Sequence, residues 1–438
     1  MASECDDVTG VGKTQSGEDD TADGRSIVRR TFSSLKIRNY RLYFAGQGLS
    51  MTGTWMQGVT QSWLVYSYTR SGFDVGVIVA LQTLPILLFG PLGGTVADRV
   101  SKYRILFWTQ GLAGVQALTL AGLDLSGNLK LWMLYPMAVV LGFINALDNP
   151  TRQTFISEMV GDAELKNAVT LNAIMVNVAR AVGPAAAGVL IATVGSGWCF
   201  LANGVSFGFV LVSLAGMRKE ELMPAPRAQK AKGQLREGFR YVARTPVLRD
   251  ALVMMALVGC LTYEFQVTLP LMAGQVLHGG PQTYGALTAV MGLGAVFGGL
   301  AVAGRPGRGI NRLVGTSAVF GVTVLAASLA PSVLVEEILL FVVGGASVSF
   351  LSLGSATLQL GADPSMRGRV MALWSVAFLG STPIGGPLVG FVGNFAGPRF
   401  ALGVGATAAI LAAGYGWSRQ RAKGAERSSE AQTAVAKA

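Results

Sequence analysis

Gly183-Pro184-Ala185-Ala186-Ala187-Gly188-Val189-Leu190-Ile191-Ala192-Thr193-Val194-Gly195 is one member of a repeated pair. About 200 residues further on, Gly385-Gly386-Pro387-Leu388-Val389-Gly390-Phe391-Val392-Gly393-Asn394-Phe395-Ala396-Gly397 sets three glycines at the same spacing. Gly183, Gly188 and Gly195 correspond to Gly385, Gly390 and Gly397. Each set belongs to a long apolar stretch, 170–194 and 370–396. Two tandem copies of a membrane unit point to a solute path between the copies.

The composition fits a membrane bundle. Hydrophobic residues make up 51% of the 438-residue chain and charged residues 13%, with a mean hydropathy of +0.48. A soluble domain carries roughly 25% charged residues. The 58 glycines suit helices whose backbones approach closely. Residues 1–24 are acidic and polar with no apolar core, so they read as a disordered tail and not as a signal peptide. Cys5, Cys199 and Cys260 do not imply a disulfide framework, and no zinc or haem spacing occurs. Neither a metal nor a cofactor is expected.

Twelve segments approach the roughly 20 apolar residues that cross a bilayer as a helix: 42–67, 74–97, 104–124, 130–148, 168–194, 198–216, 248–272, 283–303, 311–331, 334–360, 368–393 and 397–418. The expected fold is all-α, with twelve transmembrane helices in two pseudo-symmetric six-helix bundles. A β-barrel is excluded, because its strands are roughly ten residues long with alternating polarity. The expected organisation is a cytoplasmic tail (1–39), a first bundle (40–216), a cytoplasmic linker (217–247), a second bundle (248–418) and a second cytoplasmic tail (419–438).

Charge sets the orientation. With both termini cytoplasmic, the outer loops hold Arg70, Lys130 and Arg399, and Arg180 lies within a span; all other Lys and Arg fall in cytoplasmic segments. This positive-inside bias accounts for the net charge of +11 without nucleic acid, since the basic residues lie in several short loops along the inner face. In the linker, Leu235, Phe239 and Val242 share a helical face, which predicts an amphipathic helix on the inner leaflet.

After the second span, Gly94-Thr95-Val96-Ala97-Asp98-Arg99 ends a helix in an acid and opens a basic loop. After the eighth, Gly304-Arg305-Pro306-Gly307-Arg308 follows, and Arg305 matches Arg99 at nearly the glycine offset. The Gly-x-x-x-Asp-Arg loop resembles that of the major facilitator superfamily. Asn39-Tyr40-Arg41-Leu42-Tyr43-Phe44, Gly53-Thr54-Trp55-Met56-Gln57, Asp148-Asn149-Pro150-Thr151-Arg152-Gln153, Ala179-Arg180-Ala181-Val182-Gly183-Pro184 and Arg367-Gly368-Arg369-Val370-Met371 narrow the resemblance. Together they are similar to the bacterial branch that includes the enterobactin exporter and macrolide efflux proteins, over residues 35–418. The resemblance implies alternating access between two bundles in a bacterial cytoplasmic membrane. It also implies export of a small molecule driven by the proton gradient. A monomer is expected. Ser101 stands where the superfamily loop has Gly, and Gly304 leaves the second loop without an acid.

Asp98 is expected to meet the N-terminus of the eleventh span, near Arg367 and Arg369, where the helix dipole attracts an anion. With Gly94, Arg99 and Arg305 these residues form the expected gating loops. In the first span, Gln47, Ser50, Thr54, Gln57 and Gln61 share one helical face. Lipid cannot satisfy them, so they face protein or a water-filled cavity. The resemblance places this span at the central cavity with the fourth, seventh and tenth. There the stripe reads as the substrate lining, with Trp55 and Trp63 as stacking surfaces. An uncharged stripe with few aromatics argues against a highly anionic substrate.

Two ionisable residues lie deep in spans. Arg180 is about twelve residues into the fifth, roughly 18 Å along the helix; Glu264 is further along the seventh. Each needs a partner or water. Glu264 is expected to line the substrate cavity, as the candidate for a carboxylate that alternately carries a proton or a cationic substrate. Arg180 either binds an anionic substrate or holds the bundle together. Gly183-Pro184 and Gly385-Gly386-Pro387 predict helix bends at which the bundles rock, or else static close packing. Asp74, Asp124, Glu336 and Glu337 are expected to be solvated at outer span ends. Asp148, Arg152, Glu158, Asp162 and Glu164 are expected to pair with one another.

No paired catalytic constellation is present, His278 stands alone, and the glycine-rich run 292–299 lacks the lysine of a phosphate-binding loop. An enzyme is therefore not expected. The leading expectation is an exporter of an amphipathic compound such as a siderophore, antibiotic or lipid-like molecule. An uptake facilitator or lysophospholipid flippase has the same architecture. A non-transporting receptor is disfavoured by the absence of a folded soluble domain.

Overall fold

The computed structural model describes residues 32–223, 234–303, 309–364, 366–378 and 380–437; for 91–99, 234–236, 302–303 and 423–437 it describes the backbone alone. The described elements are helices. α1 is Arg38–Thr69, α2 Gly72–Arg99 and α3 Lys102–Leu125. A 63-residue helix, Leu131–Thr193, breaks at Gly161 (φ 65°, ψ −177°) into α4 (131–160) and α5 (162–193). α6 is Ser196–Ala215, and α7, Gln234–Arg244, lies in the linker. The second half has α8 (Pro246–Leu261), α9 (Phe265–Leu271), α10 (Pro281–Ala303), α11 (Ile310–Ser328), α12 (Val333–Gly361), α13 (Arg367–Phe378), α14 (Thr382–Ala396) and α15 (Pro398–Lys437).

Ten described segments are long and apolar enough to cross a membrane, with α4 and α5 taken as one. α1 completes the twelve; its polar stripe keeps its hydropathy below theirs. The seventh span is α8 with α9, and the eleventh is α13 with α14.

The two halves pair their helices alike. α2 packs on α4 and α3 on α6; correspondingly, α10 packs on α12 and α11 on α15. The repeated glycines occupy equivalent crossings. Gly183 presses on the Thr52 carbonyl of α1, and Gly385 on the Cys260 carbonyl of α8. Gly188 meets Pro281 and Gly285 of the opposite half, and Gly390 meets Gly72. Gly195 and Gly397 both have φ of 100°, ahead of α6 and α15. Only glycine takes that backbone conformation without strain.

We call the end holding the start of α1 and the last turns of α15 the tail end. Contacts between the halves run from the opposite, far end to the middle of the helices. α14 packs on α2, and α10 on α5. Asn394 accepts the Gly72 N–H at 2.5 Å and donates to Ser71 Oγ at 2.9 Å, while Gln275 donates to the Arg70 carbonyl at 3.3 Å. The tail-side pieces differ: α13 packs on α7, α8 and α12, all outside the first bundle. This arrangement is closed at the far end.

Several expectations need correcting. Helical geometry continues through Gly183 and Pro184, and Gly183 is close-packed against α1. The eleventh span is interrupted between Phe378 and Thr382, a turn before Gly385-Pro387. Pro383 opens α14, where the proline's missing N–H costs no helical bond. Gly386 and Pro387 instead pack against Gly76. α15 runs past Ser418 to Lys437. On the linker helix Val242 is buried and Phe239 is 65% exposed, while the side chain of Leu235 lies outside the described residues. The helix docks on α13 through Glu237–Arg369 (2.7 Å) and on Asp363 through Tyr241 (3.0 Å). Glu336 is fully buried near Arg399, not solvated. Among the inner charges, Asp148 does pair with Arg152 at 3.6 Å, whereas Glu158 pairs with Lys102 and Glu164 accepts from Ser33 Oγ.

Candidate functional site

The deepest charges lie where helices of both halves cross. Glu264 occupies the break between α8 and α9, at the residue before the first turn of α9. It is 2% exposed, and its Oε1 has no hydrogen-bond partner. Thr382, at the start of α14, lies close enough to interact with its carboxyl. Gly385 and Gly386 leave room for it: a Cβ at these positions would stand 3.0 and 3.4 Å from its two oxygens. Gly386 also touches Gly76 of α2. Glu264 thus sits at a junction of three spans and both bundles. It does not line an open cavity in this arrangement, which corrects the expected lining role.

Arg180 projects from α5. Its guanidinium lies 5.0 Å from the centroid of the Trp55 ring on α1. Its Nε is buried without a hydrogen-bond partner, and it makes no ion pair among the described residues. Tyr263 of the second half is within electrostatic range. Gly292 of α10 lets the two backbones touch here, since a Cβ would meet the Arg180 carbonyl at 2.9 Å.

The polar stripe of α1 divides. Thr54 and Trp55 are partly exposed. Gln57 is 2% exposed, donates to Gln116 Oε1 at 3.0 Å and accepts from Asn203 Nδ2 at 2.8 Å. Gln61 is fully buried and accepts from Gln82 Nε2 at 2.9 Å. These two glutamines tie α1 to α2, α3 and α6, so the structure corrects their assignment to the lining. Amide side chains with helices on every side find protein partners before water. Gln47 and Ser50 are buried as well. Trp63 stacks on Tyr284 of α10, with ring centroids 6.1 Å apart, and is used in the far-end closure.

Sequence reasoning missed the aromatic wall of the second half. The Tyr263 ring stands 4.8 Å from Phe378 and 5.4 Å from Phe320. Phe378 stacks on Trp374 at 6.0 Å and 7°. Trp374 Nε1 is buried without a partner. No spacing rule unites these residues, because they come from three spans. The interrupted helices were the available signal, since broken membrane helices gather around binding sites.

The gating residues are covered in part. Gly94, Asp98 and Arg99 are described by their backbone alone, and Arg305 lies outside the described residues. Arg367 is exposed, with its Nε 3.4 Å from the Ala362 carbonyl, and Arg369 is held by Glu237. No group of three or more metal-ligating side chains occurs among the described residues.

Twelve helices in two repeated bundles, with charges at the crossing between them, define a major facilitator transporter, and not an enzyme. The chain belongs to the transmembrane secretion effector family, which it matches over residues 29–436. It is 21% identical to the staphyloferrin A transporter of Staphylococcus aureus over 59% of this chain and 65% of that protein, just under two thirds of that relative's length. It is 24% identical to the enterobactin exporter of Shigella flexneri, over 82% of this chain and 86% of that one. In fold it is similar to a bacterial homologue of the human lysosomal transporter Spinster. The TM-score is 0.69 at 15% identity, over 87% of this chain and 97% of that one. A peptide transporter of the POT family gives 0.71 at 12% identity, over 86% and 93%. The protein is thus a multi-pass membrane transporter of the bacterial inner-membrane type.

Proposed function

We propose that the protein exports an amphipathic small molecule of the siderophore or secondary-metabolite kind in exchange for protons. The carrying observation is Glu264: a buried carboxylate with a free oxygen at a helix break, where α2 of one bundle meets α14 of the other. Such a group is stable there as the neutral acid. Once ionised, it favours an arrangement that lets in water or a cation. Proton binding then biases the two states of an alternating-access cycle. The relatives named as siderophore transporters support the substrate class, and the positive-inside bias of the basic loops supports a cytoplasmic tail end. In that orientation the described state opens inward. In the opposite state the inner side is latched by Asp98 at the N-terminus of the eleventh span, which Arg367 and Arg369 begin. Gly183, Pro184, Gly385 and Pro387 are the close-packed pivots.

Inside-out vesicles test the reading. Accumulation of enterobactin, staphyloferrin A or ethidium should rise when the lumen is acidified and fall when the pH gradient is collapsed. Flux indifferent to the gradient would favour a facilitator and overturn proton exchange. Asp98→Asn should slow transport at normal membrane insertion; an unchanged rate would remove the latch.

A further inference from the structure

We infer that Arg180, Trp55 and Tyr263 form a recognition site for an anionic group carried on an aromatic ring, a specificity that builds on the transporter reading above. The argument starts from an unmet need. A guanidinium in mid-membrane requires a counter-charge or acceptor. Arg180 has neither among the described residues, and its Nε is buried without a partner. Trp55 lies 5.0 Å from the guanidinium centre. This stacking holds the cation but supplies no acceptor, so the N–H donors stay available. The guanidinium fork fits a planar carboxylate in two parallel hydrogen bonds.

The fold itself does not require the charge. Arg180 stands three residues before Gly183, and Thr382 three residues before Gly385, at the equivalent place in the second half. There a neutral side chain completes the same helix crossing. Arg180 is therefore not a demand of the scaffold. The surroundings specify the carrier. Tyr263 of the opposite bundle lies within electrostatic range of Arg180, with its hydroxyl donating to the Ser347 carbonyl at 2.5 Å. Beyond it, Phe378 and Trp374 continue an aromatic surface, and Trp374 Nε1 offers a second buried donor without a partner. Aromatic walls accept a flat ring by offset or edge contacts. The ligand would touch both bundles at once, as substrate recognition in alternating access requires.

The test uses the full chain, purified in nanodiscs, with salicylate and its neutral isostere salicylamide as probes. Calorimetric titration should show salicylate binding at least about tenfold more tightly. Arg180→Gln should abolish the preference, and Arg180→Lys should keep it with lower affinity. Equal binding of both probes to the unmodified protein overturns the site without any variant, as does an unchanged preference in Arg180→Gln. Displacement of salicylate by lysophosphatidylglycerol would overturn the aromatic carrier in favour of a lipid headgroup. Gradient-driven ethidium flux without a salicylate preference defeats this site alone. Absence of all flux defeats the exporter reading.

Discussion

The crossing of α1 with α5 and that of α8 with α14 are the same construction used twice. Gly183 meets the Thr52 carbonyl in one, and Gly385 meets the Cys260 carbonyl in the other. Three and four residues after those carbonyls come Trp55 and Met56 in the first half, and Tyr263 and Glu264 in the second. Three residues before the glycines come Arg180 and Thr382. An aromatic residue is thus shared, while the ionisable group changes both type and helix. The first half places a guanidinium on its fifth span, and the second a carboxyl on its seventh. The continuity of the helices differs too. α1 and α5 run unbroken through their crossing, whereas both partners in the second half are interrupted there. Duplication supplied a scaffold, and the copies then divided the work: a rigid half holds a cation, and a half with broken helices holds a titratable acid.

The sharpest way to break this comparison is to remove the charge from the second half. Glu264→Gln should abolish the response of flux to a pH gradient in inside-out vesicles while leaving downhill exchange. A retained gradient response would show that the asymmetry of charge is incidental. Next in size, the equivalent glycines should both resist a methyl group. Gly183→Ala and Gly385→Ala overpack helix crossings, at a cost of about 1–3 kcal/mol or more each. The loss should be larger at Gly385, where the carbonyl is nearer and Glu264 is also displaced; melting temperatures in detergent check it. Gly195→Ala and Gly397→Ala should cost about 1 kcal/mol each, and equally, because both have the same positive φ and open space around them. Unequal losses would argue that the halves are less alike at their far-end turns than their backbones indicate. The smallest effect is expected from Glu237→Ala. It removes a partly exposed ion pair worth about 0–1 kcal/mol. Its readout is the protection of α7 from hydrogen exchange, which should fall with little change in melting temperature.

The crossings also show how far the candidate site could be read in advance. Arg180 and Glu264 stand out in any hydropathy trace, because a charge inside an apolar span is costly and conspicuous. The α1 stripe was equally visible, but its role was not. Gln57 and Gln61 share a face with Thr54, and only the packing of α2, α3 and α6 around them decides that they bond to protein. Tyr263, Trp374 and Phe378 carry no local signal, since aromatics are ordinary in membrane spans. The breaks in the seventh and eleventh spans escaped for a related reason. Proline and glycine mark where a helix can yield, and they occur at Pro184 as well as at Pro383 and Pro387. Which of them yields depends on the neighbours that satisfy the freed backbone groups.

The local chain dictates the number of spans, the tandem repeat and the depth of the two charges. Each follows from short-range physics: apolar length against bilayer thickness, glycine against close approach, and charge against lipid. Which glycines would face the opposite bundle, which glutamines would be spent on packing, and which aromatics would gather around Arg180 were decided by tertiary contact. Those outcomes depend on residues from different spans arriving at one place. In a bundle nearly uniform in hydrophobicity, only the geometry of helix crossings makes that selection.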